Sequence, residues 1–262
     1  MTSTIPRYPD LAGKVAVITG SSRGIGAATC RMLAANGAKV VVNGRDDAAV
    51  RDTVENIRAD GGDAIGVTAD AADSAALERL REETELGYGP VDVLGAFVAG
   101  GGPLPGPTAQ ITEPEWNDAL RGNLTATFLT VKTFLPGMVE RGRGSIVTMA
   151  STAARYAGGD PIGAPTGYAV AKAGVVRLTQ EVAKEVARYG IRVNCVSPST
   201  ILTERMQRMI PAERRAQMTA MHPLGRLGTP EDVAGAVIFL ASESSSWITG
   251  VTLDVAGGQL MI

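Results

Sequence analysis

Apolar and polar positions fall in blocks along this chain rather than in one uniform rhythm. Short apolar runs of strand length occur at 15–18, 39–42, 64–67, 91–98, 145–149, 191–196 and 251–255. Between them lie longer stretches with helical character, at 24–36, 46–59, 74–85, 113–139 and 168–189, and one more opening at Pro230. The run at 91–98 shows little alternation, the pattern of a strand buried on both faces. Glycines punctuate the helix ends, with Gly37 as a C′ residue, Gly61-Gly62 after the second helix and Gly190 after the long one. Pro230, Glu231 and Asp232 suit a helix N-terminus. Strands separated by helices predict a single-domain, doubly wound α/β fold: a mostly parallel seven-stranded sheet with helices on both faces. Residues 1–13, with Pro6, Pro9 and Asp10, read as an N-terminal extension without a signal-peptide core, and 14–262 as the domain. Two segments break the rhythm, 100–107 and 154–167; both follow strand C-termini, where open α/β sheets bind ligands.

Composition narrows the function. A chain of 262 residues buries about 70–75% of its unfolded surface and needs neither metal nor disulfide to fold. A net charge of −2 carries no nucleic-acid footprint. Cys30 and Cys195 sit in apolar segments and read as buried packing in a reducing compartment, the cytoplasm. His222 is the single histidine, which leaves a Ser-His-Asp hydrolase or a Cys/His zinc site almost no ligands; it reads as a surface or loop residue outside catalysis. No window approaches the ~18 apolar residues of a membrane span.

The first strand-to-helix turn is Thr19-Gly20-Ser21-Ser22-Arg23-Gly24-Ile25-Gly26. Its glycines allow a tight turn and close approach of backbone to a pyrophosphate, whose charge then meets a helix N-terminus in a Rossmann-type fold. About 20 residues beyond such a turn, NAD binders place a carboxylate on the ribose and NADP binders an arginine. Here the second strand ends Asn43-Gly44-Arg45. Arg45, with Arg23 in the turn, would grip a 2′-phosphate, so NADP(H) is expected ahead of NAD(H). The bland alternative pairs Arg45 with Asp46 or Asp47 in solvent.

Tyr168 and Lys172 are four apart at the start of a helix, hence on one face. A free phenol titrates near ~10. An ammonium ~4 Å away is worth about 4 kcal/mol at a dielectric of ~20, roughly three pKa units before desolvation. A phenol so tuned can hand a proton to a carbonyl oxygen while hydride reaches its carbon. Taken alone, the pair also fits a half-buried aromatic with a snorkelling lysine.

The turn Thr-Gly-x-x-x-Gly-x-Gly together with Tyr-x-x-x-Lys resembles the short-chain dehydrogenases/reductases, over residues 14–258. The resemblance implies that Asn123 holds a water linking Lys172 to solvent. It implies that Ser151 hydrogen-bonds the substrate oxygen, with Thr152 as a neighbouring competitor. It implies cofactor contacts from Gly20, Ser22, Arg23, Gly24, Ile25, Gly26, Asn43 and Arg45. Further contacts would come from Asp70 at the adenine, Ala99, Gly100, Tyr168 and Lys172, and Pro198, Ile201 and Thr203 at the nicotinamide carboxamide. In wording the chain is closest to 3-oxoacyl-[acyl-carrier-protein] reductases, through the run from Gly225 to Asp232. Three residues between Tyr168 and Lys172 favour C=O over C=C reduction. A homotetramer built through the long helices and the last strand is implied as well.

The chain also departs from the pattern. Phe97-Val98-Ala99-Gly100 replaces Asn-Asn-Ala-Gly, Pro198-Ser199 replaces Pro-Gly, and Ser151 and Tyr168 stand 17 positions apart (168 − 151). The extra residues fall around Gly158-Gly159-Asp160-Pro161, expected to border the substrate mouth. The segment 199–222 reads as a substrate lid. Met206, Met209, Ile210, Met218 and Met221 suit an adaptable apolar surface or ordinary helix packing. Arg205, Arg208, Arg214 and Arg215 suit the phosphates of an acyl carrier or coenzyme A, or a solvated face. The expected activity is an NADP(H)-dependent carbonyl reductase. The alternatives are an NAD-dependent alcohol (polyol or steroid) dehydrogenase and a non-catalytic NADP-binding sensor.

Overall fold

The computed structural model describes residues 5–100, 106–156, 164–209 and 211–261. Seven strands form one sheet: β1 Val15–Thr19, β2 Lys39–Gly44, β3 Asp63–Thr68, β4 Val93–Ala96, β5 Gly144–Met149, β6 Ile191–Pro198 and β7 Thr252–Val255. The helices are α1 Gly24–Ala35, α2 Asp47–Ala59, α3 Ser74–Gly87, α4 Glu113–Leu120, α5 Ala126–Arg141, α6 Thr166–Val186, α7 Glu204–Met209, α8 Ala212–Ala220 and α9 Pro230–Ala241. The strand order is β3-β2-β1-β4-β5-β6-β7. Every pairing is parallel, with Ile18 opposite Val42 on one side and Gly95 on the other. The order reverses between β1 and β4. That switch opens a crevice at the strand C-termini, which is where ligands sit in open α/β sheets.

The unalternating runs explain themselves once both faces are covered. Ala16, Ile18, Val40 and Val42 pack on one side with Cys30 and Leu33 of α1 and Val233 and Val237 of α9. Val15, Val17, Val41 and Leu94 pack on the other with Leu77, Leu80, Phe134, Met138, Val182 and Val186 from α3, α5 and α6. Each such buried aliphatic side chain contributes roughly 1.5–3 kcal/mol. Cys30 lies in the first layer as a free, buried thiol, its pKa pushed up to about 12 by burial; Cys195 is also free and buried.

Three expected elements differ in detail. The helix expected over 113–139 is interrupted: α4 and α5 are joined by a π-helical turn, Arg121–Thr125. Apolar spacing does not reveal one inserted residue, and π-turns often mark functional sites. β4 is shorter than the apolar run around it, because Phe97 is buried by packing without continuing the ladder. The N-terminal segment docks on the body: Leu11 is buried, the Tyr8 N–H donates to Asn36 Oδ1 (2.7 Å), and Asp10 Oδ2 accepts from the Glu243 N–H (2.8 Å). Among the described residues no helix is long and apolar enough to cross a membrane, and no cluster of three metal-ligating side chains occurs.

Candidate active site

The turn between β1 and α1 is wound as its glycines allow. Gly20 and Gly24 have φ of +69° and +57°, in the left-handed region that favours glycine. A Cβ at Gly26 would lie 2.5 Å from both the Gly20 carbonyl oxygen and Ser21 Cα, so any side chain there opens the turn. The Ser21 hydroxyl holds the turn from inside, donating to the Ile18 carbonyl (2.6 Å) and accepting from the Asn43 N–H (2.9 Å). Ser22 and Ile25 are half-buried beside it. α1 begins with no side-chain cap and no acidic residue in its first turn. By contrast α2, α3, α4 and α9 are capped by Asp46, Asp73, Thr112 and Thr229. The α1 N-terminus therefore keeps its N–H groups and positive dipole end available to an anion.

The groups expected at the nucleotide's far end are separated in kind. Arg23 pairs with Asp46 at 2.5 Å, and this guanidinium holds the Asp46 carboxyl below its ordinary range. Arg45 is exposed and makes no ion pair among the described residues. The Asn43 side chain is buried and donates to the Val67 and Ala69 carbonyls (3.0 and 3.2 Å), so its amide N–H groups tie β2 to the end of β3. Asp70 is half-buried and accepts from the Ala72 N–H (2.9 Å). Ala99 is exposed and Gly100 half-buried, just past β4.

Four side chains gather at the next strand ends. Lys172, from the second turn of α6, is fully buried and donates to the Met149 carbonyl at the end of β5 (2.8 Å). Its Nζ lies 5.7 Å from the centre of the Tyr168 ring. Ser151, just after β5, acts on the Tyr168 phenol by lowering its pKa, and its Oγ accepts from the Ala153 N–H (3.3 Å). Asn123 sits in the π-turn and is completely buried; its amide donates to the Gly100 (2.7 Å) and Ala119 (2.9 Å) carbonyls. Its Oδ1 is buried with no partner among the described residues. α6 comes close enough to place these groups because Gly167 faces Ala119, where a Cβ would approach the Ala119 Cβ to 2.9 Å. Arg155, four residues past Ser151, is ion-paired with Asp254 of β7, which fastens the start of the following loop.

The electrostatics correct one expectation. The ammonium of Lys172 does not by itself make Tyr168 acidic. Burial raises the Tyr168 pKa above its ordinary value, and the bond from Ser151 only partly opposes this. Burial also brings Lys172 down to about 8, opposed in part by the neighbouring Cys195. Desolvation disfavours both charged forms, and it outweighs their mutual attraction when both groups sit in the interior. At neutral pH the phenol therefore carries its proton.

Along the other wall, Pro198 ends β6 and Ile201 is buried, bridged to Gly228. Thr203 accepts from the Met206 N–H through its hydroxyl (3.3 Å), and its Cγ2 lies 3.2 Å from where a Cβ of Gly24 would be, so this loop meets the glycine turn. Met218 is buried with Leu227 against Leu202 and Met206, which makes this part of the lid segment packed core. His222, expected at the surface or in a loop, lies in the loop after α8 but is buried, at 3% exposure, and bonded to Ser199 and the Met218 carbonyl; its partner 23 positions away (222 − 199) leaves no mark in the local pattern. The Gly158–Pro161 insertion, residues 101–105, Ile210 and the side chains of Arg205 and Met209 lie outside the described residues.

The comparisons with known proteins agree with this fold. A family model described as enoyl-(acyl carrier protein) reductase matches residues 20–259. The chain is 36% identical over 252 residues to a 3-oxoacyl-[acyl-carrier-protein] reductase of Escherichia coli, covering 95% of this chain and 98% of that protein. It is 38% identical over 260 residues to a (3R)-3-hydroxyacyl-CoA dehydrogenase of Mus musculus, covering 96% and 98%. The crystal structure of a provisionally assigned gluconate dehydrogenase from Agrobacterium tumefaciens superposes with a TM-score of 0.90 at 31% identity, covering 98% of this chain and 100% of that one. Fold, glycine turn and near full-length relatives together show that this chain belongs to the short-chain dehydrogenase/reductase family of oxidoreductases.

Proposed function

We propose that this protein is an NADP(H)-dependent ketoreductase in which Tyr168 donates the proton to the carbonyl oxygen. The observation that carries the proposal is buried Lys172 beside the Tyr168 ring at the strand ends, with Ser151 acting on the same phenol. A protonated phenol offers a donor to a carbonyl oxygen, and the Ser151 hydroxyl would turn its own proton to the same oxygen once substrate replaces its contact with the phenol, stabilising developing negative charge. Lys172, anchored on the Met149 carbonyl, fixes the face of α6 that presents the phenol. Asn123, with an acceptor to spare, would hold the water through which the proton is replaced.

The residues present fit a nicotinamide dinucleotide. The uncapped α1 N-terminus and the turn through Gly20, Ser22, Gly24, Ile25 and Gly26 suit a pyrophosphate. Arg45, exposed and unpaired, and Arg23 suit a 2′-phosphate, with Asn43 backing the turn and Asp70 on the adenine side. Ala99 and Gly100, with Pro198, Ile201 and Thr203 opposite, would frame the nicotinamide. When bound, the dinucleotide supplies the hydride.

For substrate, the names of the curated relatives point to 3-oxoacyl thioesters carried on acyl carrier protein or coenzyme A. The segment 199–222 would cover the acyl group through Met206 and its neighbours. Oxidation of a polyol acid is the second reading, favoured by the gluconate dehydrogenase likeness. Exposed Phe128 and Val170 on α5 and α6, and Val251 and Leu253 at the β7 edge, are apolar surfaces of the kind that bury between copies of a homotetramer. Such a protein would work in the cytoplasm. The test is a panel of 3-oxoacyl thioesters, simple ketones, diketones and gluconate, run with each of the two nicotinamide dinucleotides. Fastest turnover of a 3-oxoacyl thioester with NADPH is expected; fastest turnover of gluconate with NAD would replace the proposal.

A further inference from the structure

We infer that Ser199 and His222 are positioning residues whose hydrogen bond latches the end of α8 to the loop after β6 and so sets residues 198–203 against the glycine turn. This deepens, and rests on, the function just proposed. The loop's backbone is already fixed on one side, with the Leu202 N–H donating to the Gly228 carbonyl (2.7 Å) and the Gly228 N–H to the Thr200 carbonyl (3.2 Å). On the α8 side the connection runs through side chains. The Met218 carbonyl can only accept, so the 2.7 Å contact places a proton on His222 Nδ1. The other ring nitrogen, Nε2, shares a hydrogen bond with the Ser199 hydroxyl at 2.9 Å. Both ring nitrogens are thus used, as a buried imidazole requires.

The location gives this bond leverage. Ser199 lies one residue past Pro198, and its N–H is held by the Val255 carbonyl of β7 (3.3 Å), leaving the hydroxyl to His222. At the loop's other end Thr203 touches the glycine turn beside Gly24. Movement of α8 is therefore transmitted through Met218, His222 and Ser199 to the wall where the nicotinamide would lie. Ser199 stands where the resembled pattern has glycine, which offers no hydroxyl.

The test compares Ser199→Ala, His222→Asn and their double variant with His222→Gln, whose longer amide reaches toward Ser199. Amide exchange over 204–220 reads the latch directly, and steady-state kinetics with NADPH and a 3-oxoacyl thioester read its consequence. Each single variant is expected to speed exchange and raise the KM for NADPH by about three- to tenfold, the worth of one neutral hydrogen bond. kcat should stay within about twofold, because the phenol and its partners are untouched. The double variant should lose no more than either single one, and His222→Gln should recover part of the loss. Ser199→Ala removes one oxygen and remains readable where a His222 variant fails to fold. Unchanged exchange in Ser199→Ala, or losses that simply add in the double variant, would overturn the latch. Were the parent inactive with every substrate, the functional proposal would fall, and the exchange result would still decide the latch by the same criteria.

Discussion

Asn43 and Asn123 are buried to the same degree, 1% and 0% exposed, on the two sides of the crevice. Asn43 donates twice to the end of β3, and its surroundings account for it as structure. Asn123 donates twice as well, yet keeps a buried acceptor with no partner among the described residues, inside a helical turn that is itself irregular. Such an acceptor costs about 1–3 kcal/mol. The cations repeat the contrast. Arg23 is exposed and paired with a carboxylate, whereas Lys172 is buried, bonded to a carbonyl and without a carboxylate partner among the described residues. The nucleotide side obeys the rules of burial, and the β4–β6 side breaks them where the chemistry is proposed. Breaches of this kind identify a site more securely than conformity does.

The sharpest way to break the contrast is Lys172→Met. Turnover is expected to fall at least ~10²-fold, the scale of a lost acid/base partner. Stability should rise. A lysine lowered from 10.5 to about 8 costs about 3 kcal/mol at neutral pH, and losing the bond to Met149 returns about 1 kcal/mol of that. The sign follows from proton counts. Between pH 8 and 10.5 the unfolded chain binds the lysine proton and the folded chain does not, so the parent gains stability from this group as pH rises. The advantage of Lys172→Met in denaturant titrations should be full below pH 8 and vanish near 10.5. An advantage independent of pH would contradict the burial account. Arg45→Ala comes next: the Kd for NADPH should rise about tenfold, the loss of one charge-assisted contact, with NADH binding unchanged. Equal losses for both would move the 2′-phosphate site elsewhere. Smallest is Asn43→Ala, expected to lower unfolding stability by about 1–3 kcal/mol through two stranded carbonyls. No change in stability would dissolve the comparison with Asn123.

The sequence made much of this visible, for a physical reason. Strands covered on both faces, as β1, β2, β4, β5 and β6 are, leave continuous apolar runs, whereas the part-exposed edge strands β3 and β7 were located from their apolar residues between turn signals. The glycine turn was legible because Gly26 admits no Cβ, a local constraint with a local signature. Tyr168 and Lys172 were legible because helical geometry turns a spacing of four into neighbours. What stayed hidden depends on distant packing. The π-turn at Asn123 leaves the apolar rhythm of 113–139 undisturbed. The burial of His222 depends on Ser199 and on Gly257, whose Cβ position lies 3.4 Å from the ring. The direction of the Tyr168 shift depends on burial, which composition does not report; the charge of Lys172 alone gave the opposite sign.

The central claim is that the Tyr168 phenol, held by Ser151, delivers the proton. Its most direct test is Tyr168→Phe, which removes one oxygen while keeping the ring beside Lys172. With NADPH and the best ketone of the panel, kcat should fall by about 10²–10⁴-fold while the Kd for NADPH stays within a factor of about two. A variant that reduces the ketone at close to the parent rate would show that another group supplies the proton.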